Sequence, residues 1–304
     1  MSQGLFEVLS EKLPRVEWRR EEPLARHTSF RIGGPAELMA FPQTAAELSA
    51  ILKAAAELHI RPRLLGAGTN VLAPDEGVRG LVIVTRDCLT GLERLSETKI
   101  AAMAGVTMAK LAIFARDCGL TGLEFAHGIP GTVGGGVYMN AGAYGGEIRQ
   151  VAEQTQYLDE NGEIQALNGE GQAFAYRMSA FQKKNAVILR TVFALTPGEP
   201  QVISARMQEL AEKRRASQPL ELPSAGSAFK RPVGGYAAAL IEQAGLKGFA
   251  VGGAAVSQKH AGFIVNQGGA TAADVLRLIE EVRARVLENS GILLEPEIRL
   301  WGGE

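Results

Sequence analysis

Apolar positions recur along this chain with two different periods, and the switching between them predicts its elements. Residues 5–19 carry apolar side chains at helical spacing and predict a short amphipathic helix before a charged connector. Ala36–Phe41 reads as a strand, and Thr44–His59 as a helix with Leu48, Ile51 and Leu52 on one face and Thr44/Glu47 at capping-box spacing. Pro62–Leu65, Leu81–Thr85 and Lys99–Ala104 read as short strands. Thr107 is placed to start a helix that runs through Cys118 and stops at Gly119. Val151–Leu158 and Glu163–Leu167 predict a strand pair around Asn161-Gly162, followed by an apolar strand at Ala186–Leu195.

The second part of the chain repeats the mixture. Helices are predicted at Val202–Ala216, at Ala237–Ala244 before Gly245, and at Thr271–Asn289; strands at Val251–Val256, Ala261–Asn266 and Ile292–Leu300. Strands and helices mix without regular βα alternation, so the fold class is α+β. Pro197-Gly198-Glu199-Pro200 breaks the pattern and marks a domain boundary, leaving a C-terminal α+β unit over 199–304.

One stretch fits neither period. Gly122–Gly146, GLEFAHGIPGTVGGGVYMNAGAYGG, holds nine glycines with apolar residues threaded between them. Glycine gives nothing to pack and costs entropy to order, and the apolar residues argue against a flexible linker. A backbone that approaches a ligand closely, with N–H groups turned toward phosphate, is one reading; a set of tight turns is the other. A second candidate loop, Gly66-Ala67-Gly68-Thr69-Asn70-Val71-Leu72, follows the Pro62–Leu65 strand. It is not a dinucleotide fingerprint, because Val71 stands where the third glycine would be, and the chain has neither a G-x-G-x-x-G nor a Walker A motif. Alone, this loop reads equally well as a plain strand-to-turn connection.

Composition narrows the field. The 304 residues are 46% hydrophobic and 21% charged with a formal net charge of −1, which gives no basic footprint for nucleic acid. No apolar run is long enough for a membrane span, and the first residues mix both charge signs without a signal-peptide core. Cys88 and Cys118 read as free thiols, and His27, His59, His127 and His260 have no metal-ligand spacing. These features point to a cytoplasmic protein without a metal or a membrane partner.

Few polar residues have the makings of chemistry. Tyr176-Arg177 offers a guanidinium able to clamp a carboxylate, or is a surface pair. Gly226-Ser227 with Lys230 and Arg231 offers a hydroxyl in a basic setting, or a capped turn. Glu297 is an acid in an apolar strand pattern, or faces solvent.

Read in order, a set of motifs from about residue 20 to the end resembles the UDP-N-acetylenolpyruvoylglucosamine reductases, flavoenzymes of bacterial cell-wall synthesis. They are Thr28-Ser29-Phe30-Arg31-Ile32-Gly33-Gly34, Gly66–Asn70, Gly128-Ile129-Pro130-Gly131-Thr132-Val133-Gly134-Gly135 running into Met139-Asn140-Ala141-Gly142-Ala143-Tyr144-Gly145, and Tyr176-Arg177-Met178-Ser179. Gly226-Ser227-Ala228-Phe229-Lys230, Leu246-Lys247-Gly248, Gly252–Val256 and Glu295-Pro296-Glu297 complete the set. The chain departs from the family pattern at His27, His127 and Gly136. The segment from Arg177 to Ser227 is short, as in the branch that lacks an inserted lid tyrosine.

The resemblance implies an FAD domain of the vanillyl-alcohol-oxidase type over 1–198, in two lobes of about 20–87 and 88–198, and a UDP-sugar domain over 199–304. It implies noncovalent FAD, despite His127 near the flavin loop, with NADPH as hydride donor. UDP-N-acetylglucosamine enolpyruvate is reduced to UDP-N-acetylmuramate, with hydride delivered to C3 and a proton to C2, for peptidoglycan synthesis by a monomer. Arg177, Ser227 and Glu297 match the catalytic positions. Arg31, Gly66, Ala67, Gly68, Thr69, Asn70, Gly128, Ile129, Gly131, Thr132, Gly134, Gly135, Asn140, Ala141 and Gly142 match cofactor positions. Tyr144, Tyr176, Lys230, Arg231, Lys247 and His260 match substrate positions. Two other readings compete: an FAD-dependent alcohol or hydroxy-acid oxidase of the same fold, which has no need of Arg177, Ser227 and Glu297 together, and a sugar-nucleotide binder without redox chemistry, which leaves both glycine loops unexplained.

Overall fold

The computed structural model describes residues 4–184 and 186–302. Its helices are α1 (Leu5–Lys12), α2 (Ala45–Glu57), α3 (Met108–Asp117), α4 (Val133–Tyr138), α5 (Pro200–Ser217), α6 (Ala237–Gln243) and α7 (Ala272–Ser290). With short strands throughout, this is an α+β protein. The chain divides into two compact units: the residues up to Arg20 with Leu38–Ala67 and Gly80–Lys213, and Glu21–Glu37 with Gly68–Arg79 and everything from Arg214 on. The boundary expected at Gly198 therefore moves to Lys213, and the second unit recruits two segments from the N-terminal third.

The first unit is built on a five-stranded antiparallel sheet in the order 164–168, 152–158, 187–194, 99–103, 92–94. Leu189, Val187, Ile100 and Leu158 are buried on it. Its centre holds a closed polar cluster. Thr155 Oγ1 donates to Gln172 Oε1 at 2.8 Å and lies 3.1 Å from Thr191 Oγ1, and all three residues are 0% exposed. Buried hydroxyls are tolerated there because they are paired. Thr44 and Thr107 accept the N–H groups of Glu47 and Lys110 at the starts of α2 and α3, as the sequence predicts. Elsewhere in this unit Arg63–Leu65 runs parallel to Val82–Val84, and Gly66 leaves the end of that strand.

Two expectations give way here. The predicted helix over 5–19 ends at Lys12, and Glu17–Pro23 is a strand. The Asn161-Gly162 turn is longer than a two-residue hairpin loop. Leu158 faces Ile164, and the Asp159 carboxylate accepts the N–H groups of Asn161 and Glu163, which holds that acid below its usual range.

The second unit packs a sheet in the order 224–227, 263–266, 254–256, 250–251 against α7. The buried stripe of α7 is Val275, Leu278, Ile279, Val282 and Val286, at helical spacing. Its first turn has every exposed donor answered. Asp75 accepts from Ala272 and Ala273 N–H at 2.7 and 3.0 Å, and Thr271 Oγ1 accepts from Asp274 N–H at 3.0 Å. Asn266 Nδ2 donates to Phe30 O at 3.1 Å, tying in the 28–34 segment. The predicted strand over 292–300 reduces to Arg299–Leu300, which pairs in parallel with Val71–Leu72. The residues before it make other contacts, described below. Both cysteines are free thiols. Among the described residues no helix is long and apolar enough to cross a membrane.

Candidate functional site

Within the first unit the start of one glycine loop, Gly66-Ala67, meets the other. A Cβ on Gly66 would stand 2.9 Å from Thr132 Oγ1, so the end of the 63–65 strand abuts the start of α4. Among the described residues of this unit the N–H groups of Gly66 and Ala67, and of Gly128, Gly131 and Thr132, meet no protein acceptor. Orphaned amides in such number need an outside partner, and a run of them is an anion-binding surface.

The triple glycine shows which part of this surface the protein itself requires. Helix α4 is stitched to the neighbouring strand end: Val133 N–H donates to Val106 O and Gly134 N–H to Ala104 O, each at 2.8 Å. A Cβ on Gly134 would lie 3.0 Å from Ala104 Cβ, and one on Gly136 would lie 2.7 Å from Met108 Sδ. At these two positions an added methyl would crowd its neighbours. Gly135 is exposed, and the nearest atom to its Cβ position is Thr132 Oγ1 at 3.7 Å, an ordinary contact. Nothing in the chain forbids alanine there, although glycine is unfavourable in a helix. The diphosphate of a dinucleotide such as FAD fits this surface in charge and in the close backbone approach that Gly135 leaves open.

Asn140, expected at the cofactor, uses its side chain within the protein. It is 0% exposed, donates from Nδ2 to Ala175 O at 2.9 Å and Glu147 Oε2 at 3.0 Å, and accepts from Arg149 N–H at 2.9 Å. The loop it grips holds Arg177. Ala175 and Met178 close a tight bridge, and Arg177 between them has φ +57°, a left-handed conformation uncommon for arginine. Its guanidinium stands 5.0 Å from the Tyr176 ring centroid. Gln182, which the sequence reading overlooks, donates from Nε2 to Arg177 O at 3.0 Å and Tyr138 O at 2.9 Å. Tyr144, also left-handed at φ +53°, and Tyr176 are exposed at 42% and 49%.

In the second unit the structure brings Ser227 and Glu297 onto adjoining segments. Glu297 N–H donates to Ala228 O, Lys230 N–H donates to Glu295 O, both at 2.8 Å, and Phe229 bridges to Pro296. This pairing is what the 292–300 segment does in place of a strand. Ser227 is half-buried, and among the described residues its hydroxyl has no hydrogen-bond partner. The Lys230 ammonium pairs with the Glu295 carboxylate, and the Arg231 guanidinium lies 3.9 Å over the Tyr236 ring. Lys247 pairs with Glu242 at 2.6 Å. His260 is half-buried. Desolvation holds its pKa below the usual value, and its Nδ1 accepts from Gly262 N–H at 3.1 Å. The neutral ring therefore carries its proton on Nε2, as a donor.

Also in this unit are Arg31, Gly68, Thr69 and Asn70. Arg31 is exposed at φ +56°, and its loop touches the second glycine segment: Ser29 N–H donates to Gly68 O at 3.0 Å. A Cβ on Gly68 would strike His27 O at 2.1 Å, and its φ of +63° already favours glycine.

Comparison with known proteins gives the family. An FAD binding domain family model matches residues 36–168, and the model for the UDP-N-acetylenolpyruvoylglucosamine reductase C-terminal domain matches 218–301. UDP-N-acetylenolpyruvoylglucosamine reductase of Heliobacterium modesticaldum is 46% identical over 95% of this chain and 92% of its own length. That of Caldanaerobacter subterraneus subsp. tengcongensis is 45% identical over 99% of each. The crystal structure of the Thermus caldophilus reductase superposes with a TM-score of 0.78 at 34% identity, covering 95% of this chain and 99% of that one. Identity at this level over nearly the whole length, in both parts of the protein, means that the chain belongs to the UDP-N-acetylenolpyruvoylglucosamine reductase family.

Proposed function

We propose that this protein reduces the enolpyruvyl group of UDP-N-acetylglucosamine enolpyruvate to give UDP-N-acetylmuramate, a step in peptidoglycan precursor synthesis. FAD, when bound, supplies the redox chemistry, taking a hydride from NADPH and delivering it to C3 of the enolpyruvyl group. The Gly66–Asn70 and Gly128–Gly135 loops would hold its diphosphate, through N–H groups such as those of Gly66, Ala67, Gly128, Gly131 and Thr132, with Ile129, Ala141 and Gly142 in the same loop system and Arg31 adding positive charge. The observation that carries the reading is the backbone pairing of the 228–230 and 295–297 segments, which brings the segments that carry Ser227 and Glu297 alongside each other.

The protein's own groups have three tasks. Hydride addition at C3 leaves negative charge on C2 and the adjoining carboxylate, and the Arg177 guanidinium would neutralise it, an effect typically of several kcal/mol when the donor is preorganised. Ser227 would give its hydroxyl proton to C2, and the alkoxide left behind regains a proton from solvent. Glu297 would orient the groups at the developing carbanion. Tyr144, Tyr176, Lys230, Arg231, Lys247 and the Nε2–H of His260 would bind the sugar nucleotide, its phosphates met by the cations. Two free thiols suit a reducing compartment, and we place the protein in the cytoplasm as a monomer.

The test is anaerobic spectroscopy of the purified flavoprotein. NADPH should bleach the flavin band and the enolpyruvyl sugar nucleotide should restore it. A band restored only by oxygen would instead identify an oxidase.

A further inference from the structure

Helix α4 has two ends with different duties. Its N-terminus follows the free amides of Gly131 and Thr132, and its C-terminus is gripped by the loop that carries Arg177. Six helical residues span about 9 Å, so the helix works as a short spacer between the cofactor loop and the arginine. Three side chains make the grip. Ser179 Oγ donates to Tyr138 O at 2.7 Å. Gln182 Nε2 donates to the same carbonyl at 2.9 Å and to Arg177 O at 3.0 Å. Asn140 Nδ2 donates to Ala175 O at 2.9 Å. The carbonyls on either side of the Arg177 peptide turn are thus each fixed by an amide, and one of those amides also holds the last carbonyl of α4.

This arrangement counters a local preference. Arginine at φ +57° stands in a region that non-glycine residues avoid, and such a conformation persists where surrounding bonds over-determine it. Released from the Gln182 amide, the loop can relax toward ordinary φ, which swings the arginine side chain away from its present direction. The Arg177 position would then vary relative to whatever the cofactor loop holds.

We infer that Gln182 is a positioning residue for Arg177, with Asn140 as its counterpart on the other side of the turn. The inference rests on the proposed role of Arg177 in stabilising the negative charge that hydride addition leaves on the enolpyruvyl group. It predicts a defect confined to the step that uses the arginine. Gln182→Met keeps the volume and removes the donor. Flavin reduction by NADPH should stay within about twofold of wild type, while reoxidation by the enolpyruvyl sugar nucleotide slows about 10- to 100-fold, the range for misplacing a reacting group by around 1 Å.

A double-mutant cycle separates positioning from simple destabilisation. In an Arg177→Ala background, Gln182→Met should add little further loss of reoxidation rate, because the group it positions is gone. Full, multiplicative loss in that background, or wild-type reoxidation in the single Gln182→Met variant beside a slow Arg177→Ala variant, would overturn the inference. If Gln182→Met does not fold, Gln182→Asn, which keeps the amide but draws it back by one methylene from its two carbonyls, supplies the same cycle with the same two outcomes. A wild-type protein that the enolpyruvyl sugar fails to reoxidise, or an Arg177→Ala variant of full activity, would instead refute the proposed function on which the inference stands.

Discussion

Gly135→Ala is the substitution that most sharply separates what the polypeptide needs from what its ligand needs. In a helix, glycine is less favourable than alanine by about 1 kcal/mol. At Gly135 the added methyl would meet only Thr132 Oγ1, at 3.7 Å, so no packing cost offsets that gain. Cofactor-free protein should therefore become more stable by about 0.5–1 kcal/mol. The holoprotein should respond in the opposite sense. A methyl facing the diphosphate displaces it from one charge-assisted N–H bond, worth about 1.5–3 kcal/mol, which weakens FAD binding about 10- to 150-fold. Urea unfolding of the apoprotein and FAD titration by flavin fluorescence read the two effects separately. Gly134→Ala and Gly136→Ala are the contrast: with Cβ positions 3.0 Å from Ala104 Cβ and 2.7 Å from Met108 Sδ, crowding offsets the helical gain, so both should stabilise the apoprotein less than Gly135→Ala does. A Gly135→Ala variant with unchanged FAD affinity would refute the argument that this surface faces the cofactor. One with a destabilised apoprotein would show that the chain, not the ligand, requires the glycine.

Other consequences concern the proton donor and the frame of the second unit. Ser227→Ala should leave flavin reduction by NADPH nearly intact and slow reoxidation by the sugar nucleotide about 100-fold, the usual weight of a lost proton donor; equal loss in both half-reactions would reject the assignment. Asp75→Ala removes the acceptor of two N–H groups at the start of α7, and should lower stability by about 1–2 kcal/mol in urea unfolding. An unchanged midpoint would mean that water replaces the carboxylate without loss. Asp274 has its pKa lowered from 3.8 to about 2, first by the Thr271 N–H and then by Arg277. A depressed pKa stabilises the fold above pH 3.8 and loses that contribution as pH falls toward 2. Asp274→Asn should therefore flatten the fall of the thermal midpoint between pH 4 and 2, and parallel curves for the two proteins would exclude the effect.

How far the sequence is readable depends on whether an element is made by neighbours or by distant partners. The helices that begin at Thr44, Thr107 and Thr271 are legible because the capping hydroxyl and the N–H it accepts lie three residues apart. The strand over Glu17–Pro23 is not: it is a run of charges in which only Glu22 is buried, and pairing alone makes it a strand. Helix α4 is illegible for a stronger reason, since local preference argues against a helix through Gly134-Gly135-Gly136; bonds to Ala104 and Val106 hold it. The discontinuous second unit follows the same rule. Asp75 reaches α7 and Asn266 reaches Phe30 across about two hundred residues, and no local signal reports either bond.

The candidate site shows a different limit. Arg177, Ser227 and Glu297 are visible as members of motifs, because their residue types carry the chemistry. Gln182 is not, because an amide five residues beyond Arg177 looks like any polar surface residue until its two acceptors are seen. The backbone goes further beyond sequence. Seven non-glycine residues among those described have positive φ, and four of them, Arg31, Asn140, Tyr144 and Arg177, are positions the motifs assign to cofactor, substrate or catalysis. Arginine and tyrosine have no intrinsic tendency toward that region, and each such residue costs about 1–2 kcal/mol. A fold selected for stability alone would place glycine there. Side chains at these four positions, in a chain that uses glycine freely at neighbouring turns, mean that the side chain's direction is worth more to this protein than the relief of strain.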